Sequence, residues 1–304
     1  MSGIKERWQF FLFKAVKLLI ALLPRKICLF KGRMLGFIIY RLDKKHRLIA
    51  LSNLKTAFGA ELEDSELRRI ARKSFVHFGQ FVMDCIKFPT LKDKHKDALI
   101  QVEGEENLDR ALQENKGVLL FSAHYGNWEV SPHFLKKKGR LNVIARPLDN
   151  ELIERELLKL RTGLGARVIY KQRATKQILQ ALRANQIVAF LIDQNVLRQQ
   201  AVFVDFFGKK AATTPSLAAF FLRTSSPLLP AFCYPTPSSS YKIVIRSPLR
   251  FAPGENYEAQ VLKITQTCTN IIEAQIRQNP DYWLWFHKRW RTRPKGERSA
   301  EGSG

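Results

Sequence analysis

The chain has 304 residues, enough for one sizeable domain with an attachment, and at 45% hydrophobic residues, with 21 Phe, it is too apolar for a disordered protein. Against 27 Asp+Glu stand 51 Lys+Arg, a formal net charge of +24 that demands an anionic counterpart: nucleic acid, an anionic membrane, a phosphorylated substrate or an acidic carrier protein. The four cysteines, Cys28, Cys85, Cys233 and Cys268, lie far apart with no CxxC pair. That argues against a disulfide framework or zinc site, fits a reducing compartment, and leaves no metal or cofactor expected.

The amino end opens with Trp8 to Leu23, WQFFLFKAVKLLIALL, nearly all apolar but interrupted by Lys14 and Lys17 and closed by Pro24-Arg25-Lys26. A spanning helix needs about 20 apolar residues, so this one is short. It reads as an interfacial or anchor-like helix whose lysines reach toward head groups, retained because no small-residue cleavage site follows. A buried core helix is the competing reading. Met34 to Tyr40 is a second apolar piece that fits the same interface. Residues 1–40 are therefore expected to form a membrane-associating helical segment, and residues 41–104 a basic helical segment packing on the core. In the latter, Leu67, Ile70, Ala71, Phe75, Phe78 and Val82 recur at helical spacing after a start signal at Asp64-Ser65-Glu66.

Beyond Lys116, short apolar runs (117–121, 141–145, 166–170, 187–192) alternate with segments of helical periodicity (128–137, 151–160, 175–185). That alternation predicts βαβ units, hence an α/β fold with a mostly parallel central sheet flanked by helices, over 105–296. Strand candidates at 228–234 and 241–245, a helix beginning near Thr214-Pro215-Ser216 and a long helix from Tyr257 to Gln278 follow, with a polar tail at 297–304.

Ligands in such sheets bind at the carboxyl ends of strands. Three polar clusters fall there: His124 to Glu129, Arg146-Pro147, and Asp193-Gln194-Asn195. A histidine delivered by a strand, with a carboxylate five residues on, is one way to orient an imidazole as a base, although such pairs also arise without function. Lys171, Arg173, Arg198, Lys209 and Lys210 lie in loops after strand candidates, where they either hold substrate phosphates or form a solvated basic face. The ending WLWFHKRWRTRP interleaves aromatics with cations, as an interfacial belt or as core packing of Trp283 and Trp285; His287 reads as structural.

Five blocks occur in a characteristic order: SAHYGNWE with His124 and Glu129, Arg146-Pro147, Asp193-Gln194, Phe206-Phe207-Gly208 with Ala212-Thr213-Thr214-Pro215, and WLWFHKRWRTRP. Together they resemble the late acyltransferases of lipid A biosynthesis, the lauroyl/myristoyl transferase family related to glycerophospholipid acyltransferases. The similarity runs from the N-terminal anchor to about Pro294. The resemblance implies transfer of a fatty acyl chain from acyl carrier protein to a hydroxyl of a Kdo-modified lipid A precursor, at the cytoplasmic face of a bacterial inner membrane. It makes His124 the general base and Glu129 the group that fixes its tautomer. Arg146 matches a second-motif arginine that binds phosphate or the oxyanion, the alternative being a structural ion pair with Asp149 or Glu129. Asn127, Arg198 and Lys209 join it as candidate substrate-binding residues. Asp193 and Gln194 stand where the wider glycerolipid enzymes carry Pro-Glu-Gly, a departure from that pattern; they bind a sugar hydroxyl, order the site, or cap a strand. Rival readings are the same chemistry on another glycolipid or a lysophospholipid, and a basic non-catalytic membrane or nucleic-acid-binding protein. No RNP-like block, zinc finger or recognition helix supports nucleic acid as a partner.

Overall fold

Proline 24 divides the amino end into two helices. The computed structural model describes residues 2–170, 174–252, 254 and 256–296, so Lys171, Arg173 and the 297–304 tail lie outside it. Helix α1 (Ser2–Leu22) runs through Lys14 and Lys17 without a break, and α2 (Arg25–Leu42) follows, with Met34 to Tyr40 inside it. Among the described apolar side chains of α1 only Ile20 is fully buried; Trp8, Phe11, Leu12, Leu19 and Leu22 are exposed, as are Phe30, Met34 and Ile38 of α2. Among the described residues no helix is long and apolar enough to cross a membrane.

Next come α3 (Lys44–Phe58) and α4 (Asp64–Lys87); of the α4 stripe, Leu67, Ile70, Ala71 and Phe75 are buried, while Phe78 and Val82 are half-buried. Helices α2 and α4 cross in close contact at Gly32, Gly36 and Gly79, where an added Cβ would collide with the opposite backbone. A short α5 (Asp93–Ala98) leads to β1 (Ile100–Glu103) and α6 (Glu105–Gln113), so the sheet begins before residue 105. The alternating region then delivers β2 (Val118–Ser122), α7 (Ser131–Leu135), β3 (Leu141–Ala145), α8 (Glu151–Gly163), β4 (Ala166–Tyr170), α9 (Ala174–Arg183) and β5 (Ile187–Leu191). A hairpin, β6 (Val202–Phe206) and β7 (Lys209–Thr213), precedes α10 (Ser216–Thr224), β8 (Leu228–Pro235), β9 (Tyr241–Ile245) and α11 (Tyr257–Gln278).

Seven strands form one sheet in the order β1-β9-β8-β2-β5-β3-β4, with β6-β7 apart. Every neighbouring pair is parallel except β8 and β9. Central β2 explains why the sheet is covered on both faces. Its VLLFS run sends Leu119 and Phe121 into a core with α3, α4, α10 and α11, and Val118 and Leu120 into a second core with α6 and α7. A strand apolar on both faces can only sit between two such layers, each fully buried Leu or Phe contributing about 1.5–3 kcal/mol.

Candidate active site

The central placement of β2 and its register with β5 bring the polar clusters together. The two strands pair in parallel with Ser122 opposite Leu191, so continuing each by two residues sets His124 beside Asp193. His124 Nδ1 lies 2.8 Å from Asp193 Oδ1, and the His124 backbone N–H donates to Asp193 Oδ2 at 2.9 Å. The indole N–H of Trp283 donates to the same Oδ2 at 2.8 Å. Burial alone would raise the pKa of Asp193, but the attraction of the imidazole and the hydrogen bonds from His124 and Trp283 outweigh it and hold the carboxyl well below the usual carboxylate range. An ionised Asp193 accepts from Nδ1–H, which leaves Nε2 as the lone-pair nitrogen. Gln194 Nε2 sits 3.2 Å from that Nε2, where a donor is the complementary partner. The imidazole is partly exposed, its side chain at 19%, whereas Asp193 is sealed at 2%.

Glu129 is not the imidazole's carboxylate partner. Its oxygens are gripped by Arg161 of α8, through Nε at 3.1 Å to each and Nη2 at 2.5 Å. The cause is local geometry: residues 128–130 form a turn and the helix starts only at Ser131, which directs Glu129 toward α8 rather than back to His124. The backbone of the His124 turn is pinned on several sides. Gly126 N–H donates to Tyr282 at 2.9 Å, Asn127 N–H to Cys233 at 2.8 Å, and Leu284 N–H to the His124 carbonyl at 3.2 Å. Gly126 has φ 63°, and a Cβ there would strike the Cys233 carbonyl oxygen. Trp128 presents its ring to His124 at 5.0 Å and packs on Phe81 at 4.2 Å.

The remaining candidates separate. Arg146 follows β3 at the same edge of the sheet, 81% exposed and 3.9 Å from Asp149, the partner of its structural alternative. Asn127 is buried with its Nδ2 on the Tyr241 hydroxyl at 2.9 Å. Arg198 donates Nε to the carbonyl of Arg293 at 3.0 Å, Lys210 pairs with Asp205 at 3.2 Å, and Lys209 is exposed on the hairpin. Among the described residues none of these is hydrogen bonded to the His124 cluster. Trp283 and Trp285 are fully buried, which decides their reading for core packing; His287, its pKa lowered by burial to about 4, accepts from the Asn195 N–H at 3.3 Å. Sequence reasoning missed Trp283 as a ligand of Asp193 and Arg161 as the partner of Glu129. Neither carries a spacing signal, because each reaches its partner from a different element.

The bacterial lipid A biosynthesis acyltransferase family matches residues 2–292. A lipid A biosynthesis palmitoleoyltransferase of Escherichia coli (strain K12) is 25% identical over 279 residues, covering 91% of this chain and 89% of its own. A lipid A biosynthesis lauroyltransferase of the same organism is 23% identical, covering 95% and 93%. A phosphatidylinositol mannoside acyltransferase of Mycolicibacterium smegmatis is 22% identical, covering 76% and 75%. A family match across nearly the whole chain means that this protein belongs to the bacterial lipid A biosynthesis acyltransferases and is an acyltransferase.

Proposed function

We propose that this acyltransferase moves a fatty acyl chain from an acyl-carrier-protein thioester to a hydroxyl of a Kdo-modified lipid A precursor, at the cytoplasmic face of a bacterial inner membrane. The observation that carries the reading is the His124–Asp193 pair, with a partly exposed imidazole at the carboxyl edge of the sheet. His124 Nε2 takes the proton of the acceptor hydroxyl as its oxygen attacks the thioester carbonyl. The C–S bond then breaks, and the imidazolium returns the proton to the departing thiolate. Asp193 stabilises the imidazolium and fixes the tautomer, the role first expected of Glu129. Glu129 acts at one remove, tying the turn to α8 through Arg161.

The net charge of +24 suits an acidic carrier protein, anionic lipid and substrate phosphates together. The exposed apolar faces of α1 and α2, interspersed with Lys14, Arg33 and other cations, suit a helix pair lying in the bilayer interface rather than crossing it. Membership of an acyltransferase family removes the non-catalytic membrane and nucleic-acid readings. Acylation of a different glycolipid is the second reading, favoured by the mannoside-specific name of one relative. The test is incubation of membrane-bound protein with labelled acyl-acyl carrier protein and a tetraacyl, Kdo-modified lipid A precursor. Transfer by wild type and its loss in His124→Ala are expected; equal transfer by His124→Ala removes the base, and no transfer by wild type removes the acceptor.

A further inference from the structure

Beneath the His124 turn, α2, α4 and the β8–β9 connection enclose a cleft of about 330 Å³, at the lower end of small-molecule sites. Its floor is a preorganised buried polar chain. Arg25 clasps Asp84 through Nε at 2.9 Å and Nη2 at 2.7 Å, the Tyr241 hydroxyl donates to Asp84, and Asn127 Nδ2 donates to Tyr241. Asp84 is wholly buried, with Tyr241 at 4% and Asn127 at 1% exposure. Asn127 Oδ1 is a buried acceptor with no partner. Such an atom is costly unless something supplies a donor.

The walls add cations. Lys73 of α4 lines the cleft and is neutralised by Asp281 at 3.1 Å, whereas Arg33 of α2, exposed on the wall, makes no hydrogen bond or ion pair among the described residues. An uncompensated guanidinium calls for anionic oxygens, best those of a phosphate, and the orphaned carbonyl calls for an O–H or N–H. A phosphorylated sugar offers both within one small head group. Position favours a lipid-borne one. The exposed apolar residues Phe30 and Met34 flank Arg33 on α2, and Phe81 of the cleft packs on Trp128, whose ring meets His124.

We propose that this cleft binds a phosphorylated sugar of the acceptor's head group, with Arg33 on the phosphate and Asn127 Oδ1 accepting from the sugar, while another hydroxyl of the same head group reaches His124. The assignment rests on the acyltransferase reading above. It is tested with Arg33→Glu, a solvent-exposed change that leaves the buried floor intact. For a bisphosphorylated acceptor, kcat/KM falls at least tenfold, chiefly through KM, with the KM for the acyl donor as in wild type. For a dephosphorylated acceptor the two proteins are equal. An acceptor KM within twofold of wild type overturns the proposal. So does a loss that vanishes when phosphatidylglycerol vesicles are replaced by phosphatidylcholine, since the anion is then bulk lipid. Titration of the detergent-solubilised full chain with glucosamine 6-phosphate separates the two readings. Binding that depends on Arg33, in a protein inactive on every lipid A precursor, keeps the cleft and discards the acceptor; binding equal in both proteins discards the cleft.

Discussion

Substitution of Asp193 by Asn alters one atom and tests the whole arrangement at His124. The carboxylate receives three bonds: His124 Nδ1 on Oδ1 at 2.8 Å, and the His124 N–H and Trp283 indole on Oδ2 at 2.9 and 2.8 Å. An asparagine can satisfy the latter two only by placing its oxygen at the Oδ2 position, which turns its NH₂ toward Nδ1. Nδ1 must then accept, the ring proton moves to Nε2, and the lone pair proposed to remove the hydroxyl proton is gone. A positioned base contributes about 10²–10⁴-fold, and a wrong-tautomer substitution in a serine-hydrolase triad costs about 10⁴, so kcat should fall by about 10³. The acceptor KM should be unchanged, because Asp193 is sealed from solvent. Steady-state transfer from labelled acyl-acyl carrier protein, with thermal unfolding followed in parallel, reads both quantities. Activity within threefold of wild type would refute the assignment of Asp193 as the group that orients His124.

Glu129→Gln should behave differently: loss of the charged contacts with Arg161 costs about 1–3 kcal/mol of stability, seen as a lowered unfolding midpoint, with a smaller fall in kcat than Asp193→Asn. The reverse ranking in kcat would return the orienting role to Glu129. Gly126→Ala should leave little folded, active enzyme, since the turn needs φ 63° and has no room for a Cβ beside Cys233; normal expression and activity would show that the turn can relax. The depressed pKa of Asp193 also carries a pH signature. Its folded-state value lies below the unfolded one near 3.8, so its contribution to stability is present above that pH and is lost as the pH falls below it. The stability gap between wild type and Asp193→Asn should therefore narrow on acidification below about pH 4 in denaturant titrations, and a gap independent of pH would contradict an ionised carboxylate.

Much of the architecture was readable from apolar runs. Strands 141–145, 166–170 and 241–245 and the helix from Tyr257 to Gln278 fall where periodicity sets them, because each is long enough for its pattern to show and is bounded by turn residues. Strand β1, with only four residues of intermediate or exposed character, has no such pattern, and α6 is hidden among charges despite burying Leu108 and Ala111. The helix expected from Trp128 starts at Ser131, since tertiary bonds to Tyr282 and Cys233 spend the preceding backbone in a turn. At the site, His124 was legible because strand, small residues and turn are local signals. Its partner was not: Asp193 lies 69 residues away and is brought in by strand register, whereas Glu129, near in sequence, is pulled to Arg161. The neighbouring strand end did place Asp193 among the candidates, with ordering of the site as one of its readings.

The segment around Trp283 has a consequence for how the enzyme comes into being. Trp283 closes the Asp193 carboxylate, Leu284 and Tyr282 fasten the His124 turn, and Asn53 and Ser74 bind the carbonyls of Trp285, His287 and Trp283. All of these partners leave the ribosome long before residues 282–287 do, and contacts of such span close slowly. A nascent chain halted before Trp283 can already possess its exposed apolar amino-terminal helices while its imidazole lacks a fixed carboxylate. The proposed His124–Asp193 centre is thus completed only once residues 282–287 have been made, after the helices proposed to meet the lipid have had time to do so.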